Sequence, residues 1–319
     1  MTLADVKKIA VLGAGTMGPG IAQIYATTGC EVTMWTRSEA TREKAKAALL
    51  ASLHTFAEEG VIKASQIEEI NSRVNFALTV EEAIEGAQFI QETIVENKDA
   101  KEALYAQIAA AVKPGVIIAS NTSALNIFEV VPEQLLPQMI ICHWYAPPQL
   151  IPLVEVVKSE QAPQEYADIA MELLKKGGKT PVLMKKFIRG YIVNRLQQCL
   201  NQEVFYLISN GYCDAEAIDL ASMASFIPRA CVLGICKRID FGGVDMTYNN
   251  FKNKSYTAPV WDEIPSILSD KVEAGELGIK TGKGFYDYTG KDIEAIKAKR
   301  DKYLFEVFRL EQKFLDDPV

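Results

Sequence analysis

The chain has 319 residues, 49% hydrophobic and 24% charged, with a formal net charge of −7. That is the composition of an ordinary soluble globular protein with room for one large domain or two of common size. The acidic balance argues against nucleic acid as the main partner, because a phosphate backbone calls for a basic surface.

Six cysteines stand at 30, 142, 199, 213, 231 and 236, several in apolar surroundings, and none forms a CxxC pair. They read as reduced core thiols, not as a disulfide framework or a metal site. The first residues lack a signal peptide's apolar core, and no apolar run approaches the length of a membrane span. A cytoplasmic protein with no metal and no membrane association is expected.

Lys8 to Leu12 is a short continuous apolar run, as in a buried parallel strand. Gly13-Ala-Gly-Thr-Met-Gly18 follows, then a helical pattern from Ile21 to Ala26 closed by Gly29, then Glu31 to Trp35 as a second strand. GxGxxG between strand and helix of one βαβ unit points to a dinucleotide. Gly13 serves the tight turn, Gly15 lets the backbone approach a pyrophosphate, and Gly18 permits close helix–strand packing. Thr16 and Met17 complete the loop, and the helix N-terminus offers free N–H groups to the phosphates. An NAD site carries an acid near the end of the second strand for the ribose 2′-hydroxyl. Here that strand closes Trp35-Thr-Arg-Ser38. Thr36, Arg37 and Ser38 together suit a 2′-phosphate, which favours NADP over NAD. The competing reading makes Arg37 the solvated start of the next helix, with NAD bound without the acid.

Ser38 to Glu59 and Lys63 to Arg73 read as helices, with His54 a surface or satisfied residue. Val74–Leu78, Ala87–Ile94 and Val116–Ala119 read as strands separated by helices Val80–Glu85 and Lys98–Val112. The alternation predicts a doubly wound α/β sheet. The last of these strands runs into Ser120-Asn-Thr-Ser-Ala124, whose polar side chains are candidate ligand contacts or simply a turn and helix cap. Glu96 and Lys101 follow another strand end and alone would pass as helix-surface charges.

Gln138 to Cys142 reads as a buried strand delivering His143, one of only two histidines. Leu153 to Val157 is the next strand, after a Pro-rich turn at 147–152. Strands joined in this way could bring Glu155 beside His143. A carboxylate on one ring nitrogen fixes the tautomer, raises the basicity of the other nitrogen and stabilises the imidazolium. Alone, such a histidine is as well read as a partly buried side chain satisfied by backbone. After a helix at 164–176 and a short strand at 180–184, only helical segments and turns follow. A boundary near residue 187 results, with domains at 1–186 and 187–319. Leu277 to Tyr288 is Gly-rich and basic but lacks Walker spacing. Lys291 to Phe314 reads as a solvated or dimer-flanking helix.

Seven motifs in order make the chain resemble the L-3-hydroxyacyl-CoA dehydrogenase family over nearly its whole length. They are GAGTMG at 13–18, VEN-x-x-x-K at 95–101, SNTS at 120–123, H-x-x-x-P at 143–147, LVEVV at 153–157, GYIVNR at 190–195 and GxKTGKGFYDY at 278–288. The resemblance implies an N-terminal Rossmann-type domain, an all-helical C-terminal domain and a homodimer formed through the latter. It implies reversible oxidation of a 3-hydroxyacyl group, most simply of a short-chain CoA ester such as 3-hydroxybutyryl-CoA. His143 is then the base, Glu155 its partner, and Ser123 and Asn194 orient the substrate oxygen. Glu96 and Lys101 match positions that meet the nicotinamide half of the cofactor, and Asn121 falls among the cofactor contacts.

The departures gather near the substrate. Ala146 stands where the family carries Asn, Phe187-Ile-Arg189 replaces Asp-x-Pro, Gly234-Ile-Cys-Lys237 replaces Gly-Pro-hydrophobic-Glu, and Glu59 takes the place of a lysine that meets CoA phosphates. These leave a second reading open, a free 3-hydroxy or 3-oxo acid or another small carbonyl compound, with Arg189 or Lys237 meeting a carboxylate. A non-catalytic dinucleotide-binding protein is the third reading, opposed by the His143–Glu155 pair.

Overall fold

The computed structural model describes residues 1–319, which divide into two compact units, Met1–Ile192 and Val193–Val319. The division lies beyond residue 187 because Phe187 packs against the core of the first unit and Tyr191 is buried in it.

The first unit is built on strands β1 (Lys8–Leu12), β2 (Glu31–Trp35), β3 (Val74–Ala77), β4 (Phe89–Glu92), β5 (Ile117–Ser120), β6 (Met139–Trp144), β7 (Leu153–Lys158) and β8 (Thr180–Leu183). They form one sheet in the order β3-β2-β1-β4-β5-β6-β7-β8, parallel throughout except for the antiparallel pair β6–β7. The strands are short apolar runs because helices cover both faces. Alternate residues therefore enter different cores, Ile9 and Val11 of β1 on one side and Ala10 and Leu12 on the other. Strand order reverses between β1 and β4, which opens a crevice beyond their C-terminal ends.

The helices of this unit are α1 (Gly18–Thr27), α2 (Glu39–Glu58), α3 (Ile67–Ser72), α4 (Val80–Ile84), α5 (Lys98–Ala111) and α6 (Gln164–Lys176). Along α2 only Ala45, Leu49, Leu53 and Phe56 are buried, a single stripe at helical spacing. Burial of each larger one of these contributes about 1.5–3 kcal/mol. Ser38 caps α2 by accepting the Thr41 N–H, and Asn97 caps α5 by accepting that of Ala100. The mid-helix His54 is exposed.

The second unit contains α7 (Val193–Ser209), α8 (Ala215–Ala221), α9 (Ile227–Gly242), α10 (Val244–Lys252), α11 (Ser266–Glu273) and α12 (Ile293–Asp316). A π-helical turn, Ser222–Phe226, joins α8 to α9, and α9 kinks at Gly234, where φ is +70° and ψ −179°. The Gly-rich segment folds back on itself through bridges from Lys283 to Gly278 and Asp287, and the carbonyl of Gly284 accepts from Lys271. The helical stretch Ala215–Gly242 is long and apolar enough to span a membrane by length and composition, with a mean hydropathy of 1.5 over one 18-residue window. Its apolar residues are dispersed among polar ones, so no continuous run announces it. The kink at Gly234 bends it within that length.

Candidate active site

The crevice at the strand-order reversal is a cavity of about 630 Å³. Its floor is the glycine loop, from Gly13 through Gly15 and Thr16 to Met17, and its walls come from the ends of β2, β4 and β5. Gly13 adopts φ +128°, and a Cβ there would sit 2.6 Å from the Thr93 carbonyl oxygen. A Cβ on Gly18 would lie 1.9 Å from the Gly13 oxygen. Gly15 differs, because a Cβ there meets nothing within 4 Å. Its missing side chain leaves open space over the loop, where a pyrophosphate fits. The N-terminus of α1 carries no side-chain cap, so its N–H groups and dipole are available to an anion.

At the end of β2, Trp35, Arg37 and Thr41 line the cavity. Thr36 and Ser38 do not. Thr36 is buried with its N–H on the Ala77 carbonyl, and the Ser38 hydroxyl serves the cap of α2. Of the three residues expected around a 2′-phosphate, Arg37 alone remains in the wall, joined by Thr41, whose position one helical turn later gave no sign in the sequence.

Lys101 also sits differently from expectation. It is fully buried, with Nζ 2.6 and 2.8 Å from the two carboxylate oxygens of Glu92. Glu92 further accepts from the Ile94 N–H and from the hydroxyls of Tyr105 and Ser120. Lys101 thus supports the cavity wall from behind and does not line it. Glu96 does line it, and its Oε1 gathers the loop after β5. It accepts from the Thr122 hydroxyl at 2.8 Å and from the N–H groups of Ser123, Ala124 and Leu125 at 2.9, 2.8 and 3.2 Å. Burial works to raise the Glu96 carboxyl. The hydrogen bonds from Ala124, Thr122 and Leu125, with the Lys101 ammonium, outweigh it and hold the pKa below the usual carboxylate value. Asn121 accepts the Trp144 N–H and donates to the Thr93 hydroxyl, tying β6 to the residue after β4.

His143 and Glu155 are direct partners across the antiparallel β6–β7 pair, so their side chains share a face. Nδ1 lies 3.0 Å from Glu155 Oε2, and Nε2 lies 3.2 Å from Ser123 Oγ. An ionised carboxylate only accepts, which assigns the ring proton to Nδ1 and leaves the Nε2 lone pair facing Ser123. Both members of the pair are almost wholly buried, at 2% and 0% exposure. Glu155 is anchored by two further donors that the sequence reading missed, the Tyr145 hydroxyl at 2.7 Å on Oε2 and the Ile192 N–H at 2.9 Å on Oε1. The imidazole stacks on Tyr191 with centroids 4.4 Å apart, and the Tyr191 hydroxyl donates to the Thr122 carbonyl. The turn between the strands is held by Lys179, whose Nζ donates to the carbonyls of Pro148, Gln149 and Ile151. Asn194 stands in the first turn of α7, in the second unit.

Residues 8–187 match the NAD binding domain of 3-hydroxyacyl-CoA dehydrogenase, and residues 190–288 match the C-terminal domain of the same family. The chain is similar to 5-formyl-3-hydroxy-2-methylpyridine 4-carboxylate 5-dehydrogenase of Mesorhizobium japonicum, 30% identical over 96% of this chain and 98% of that one. It is also similar to a probable 3-hydroxybutyryl-CoA dehydrogenase of Bacillus subtilis, 32% identical over 90% of this chain and 99% of that one. A solved structure of a 5-formyl-3-hydroxy-2-methylpyridine 4-carboxylic acid 5-dehydrogenase, described as an NAD+ dependent dismutase, superposes with a TM-score of 0.85 at 27% identity. That match covers 96% of this chain and 99% of the other. A dinucleotide cleft next to a buried His–Glu pair, with both domains matched over most of the length, makes this chain a member of the 3-hydroxyacyl-CoA dehydrogenase family, an oxidoreductase that acts on a CH–OH group with a nicotinamide cofactor.

Proposed function

We propose that the protein interconverts a 3-hydroxyacyl and a 3-oxoacyl group, with a short-chain CoA ester such as 3-hydroxybutyryl-CoA as substrate. The observation that carries this reading is the Nε2 lone pair of His143, aimed at Ser123 beside the dinucleotide cleft. In oxidation, His143 Nε2 takes the hydroxyl proton while Ser123 donates a hydrogen bond to the oxygen as charge develops on it. Glu155 keeps the proton on Nδ1 and offsets the imidazolium charge. A nicotinamide held in the cleft would supply the hydride acceptor or donor for C3. In reduction the imidazolium returns the proton.

NADP is the cofactor we favour. Arg37 in the wall at the end of β2 supports this, as does the lack of a carboxylate among Trp35, Arg37 and Thr41. Arg37→Asp is expected to weaken NADPH far more than NADH, measured by fluorescence titration, and equal losses would remove the 2′-phosphate role. A homodimer formed through the helical unit is supported by its wide apolar surface, where Leu220, Met223, Phe241 and Phe251 are 67–81% exposed. The six unpaired cysteines support a reducing, cytoplasmic setting.

A second reading, a free carboxylated carbonyl compound without CoA, is favoured by the near full-length similarity to the pyridine-carboxylate dehydrogenase and by the residues Ala146, Arg189 and Lys237. The deciding experiment follows nicotinamide oxidation with acetoacetyl-CoA and free acetoacetate in parallel, each with NADPH and NADH. Turnover of the CoA ester alone supports the first reading. Turnover of the free acid alone, or of neither, overturns it.

A further inference from the structure

The proposed mechanism gives the Tyr145 hydroxyl no task. It donates at 2.7 Å to Glu155 Oε2, the same oxygen that takes His143 Nδ1 at 3.0 Å. The Tyr145 ring also lies 4.6 Å from the imidazole, centroid to centroid. Tyr191, the other tyrosine against His143, sends its hydroxyl elsewhere, to the Thr122 carbonyl.

We propose that Tyr145 is a positioning residue that sets the basicity of His143 by sharing its carboxylate. The inference rests on the reading of His143 as the base. Two donors on one carboxylate oxygen draw on the same electron density, so the phenol weakens the pull of Glu155 on the imidazolium. The histidine then stays neutral, and able to accept a proton, at a lower pH than the His–Glu pair alone would allow. A phenylalanine at 145 would keep the ring contact and release the oxygen.

The ionisable groups around the pair are Cys142 on β6, Tyr145 just after it, Glu155 on β7, Tyr191 ahead of α7, and Glu96 after β4 with its partner Lys101. Burial pushes the Cys142 thiol far up, and burial followed by the Glu96 charge does the same to Tyr191, so both are neutral around pH 7. Glu96, held low, is charged there.

The test uses the full chain, which holds only two histidines. Ring-labelled histidine gives two NMR titrations, and His54→Gln identifies the one from the exposed His54. In Tyr145→Phe the His143 titration is expected to move up by about half a unit to one unit. The acid limb of kcat/KM for alcohol oxidation should move up with it, while the plateau above the limb stays within roughly threefold, since no transition-state contact is lost. A His143 titration that stays in place or moves down overturns the proposal. So does a loss of activity that is uniform in pH, which would leave Tyr145 a packing residue. If the titration rises and the kinetic limb stays, the role of Tyr145 stands and His143 falls as the base.

Discussion

Lys101→Met tests the buried support behind the cofactor wall. Methionine follows the lysine stem closely, so the change leaves little cavity and its main effect is to strand the Glu92 carboxylate. Lysine and glutamate are both at 0% exposure, and Nζ reaches both carboxylate oxygens. Removing one partner of a buried ion pair costs about 3–5 kcal/mol. Three neutral donors remain on Glu92, from Ile94, Tyr105 and Ser120, at 2.8, 3.0 and 2.5 Å. They retain part of its solvation and bring the expected loss to about 3 kcal/mol, a factor of roughly 150 in the folding equilibrium. Urea unfolding followed by tryptophan fluorescence reads the effect, since Trp35 and Trp144 both belong to the first unit. The double variant Glu92→Gln/Lys101→Met buries a neutral amide in place of a lone charge and is expected to recover at least about 1 kcal/mol. A single variant within about 1 kcal/mol of the parent would refute the reasoning, as would a double variant no better than the single one.

The glycine loop separates binding from folding. Gly15→Ala adds a methyl group with no atom within 4 Å, so its unfolding midpoint should match the parent while cofactor affinity, read by nucleotide fluorescence, falls at least about tenfold. Gly18→Ala drives a Cβ onto the Gly13 carbonyl oxygen and should cost about 2 kcal/mol or more in stability. If both variants lose stability equally, the cradle geometry is wrong. Glu96 carries a pH prediction. Its folded pKa is depressed, so its contribution is present above the ordinary carboxylate pKa of about 4.3 and is lost as pH falls through the depressed folded value. The stability gap between the parent and Glu96→Gln should therefore be steady near neutrality and close in acid. A gap that stays constant down to about pH 3 would contradict it.

The sheet was legible in the sequence because its strands are buried on both faces and show as short apolar runs. The His143–Glu155 pair was legible for a related reason: a local antiparallel pair lets facing positions be counted across the turn. The burial of Lys101 was not legible, because a lysine in the first turn of a helix looks solvated and nothing local reports otherwise. The available signal lay nine residues earlier, in a carboxylate at the end of the wholly buried run Phe89-Ile-Gln-Glu92, which requires a cation or donors. Thr36 and Ser38 were drawn into the 2′-phosphate reading because a hydroxyl looks alike whether it binds a ligand, caps a helix or lies buried. The spacing from Ser38 to Thr41 is that of an N-cap and would have separated them. Tyr145 gave no sign in the sequence, since its phenol gains meaning only once Glu155 is placed within its reach.

The antiparallel pairing of β6 and β7 also ties chemistry to folding accuracy. A slip of one residue would set His143 against Val154 or Val156 and turn its ring toward the opposite layer of helices. Hairpins on smooth apolar strands are prone to such slips, and here nearly every other rung is apolar on both sides. The two polar side chains that face each other form the rung whose mispairing buries a charge against hydrocarbon. The pair proposed to move the proton is thus also the group that rejects the wrong alignment, and a variant that neutralises both residues would lose a safeguard of strand register together with its turnover.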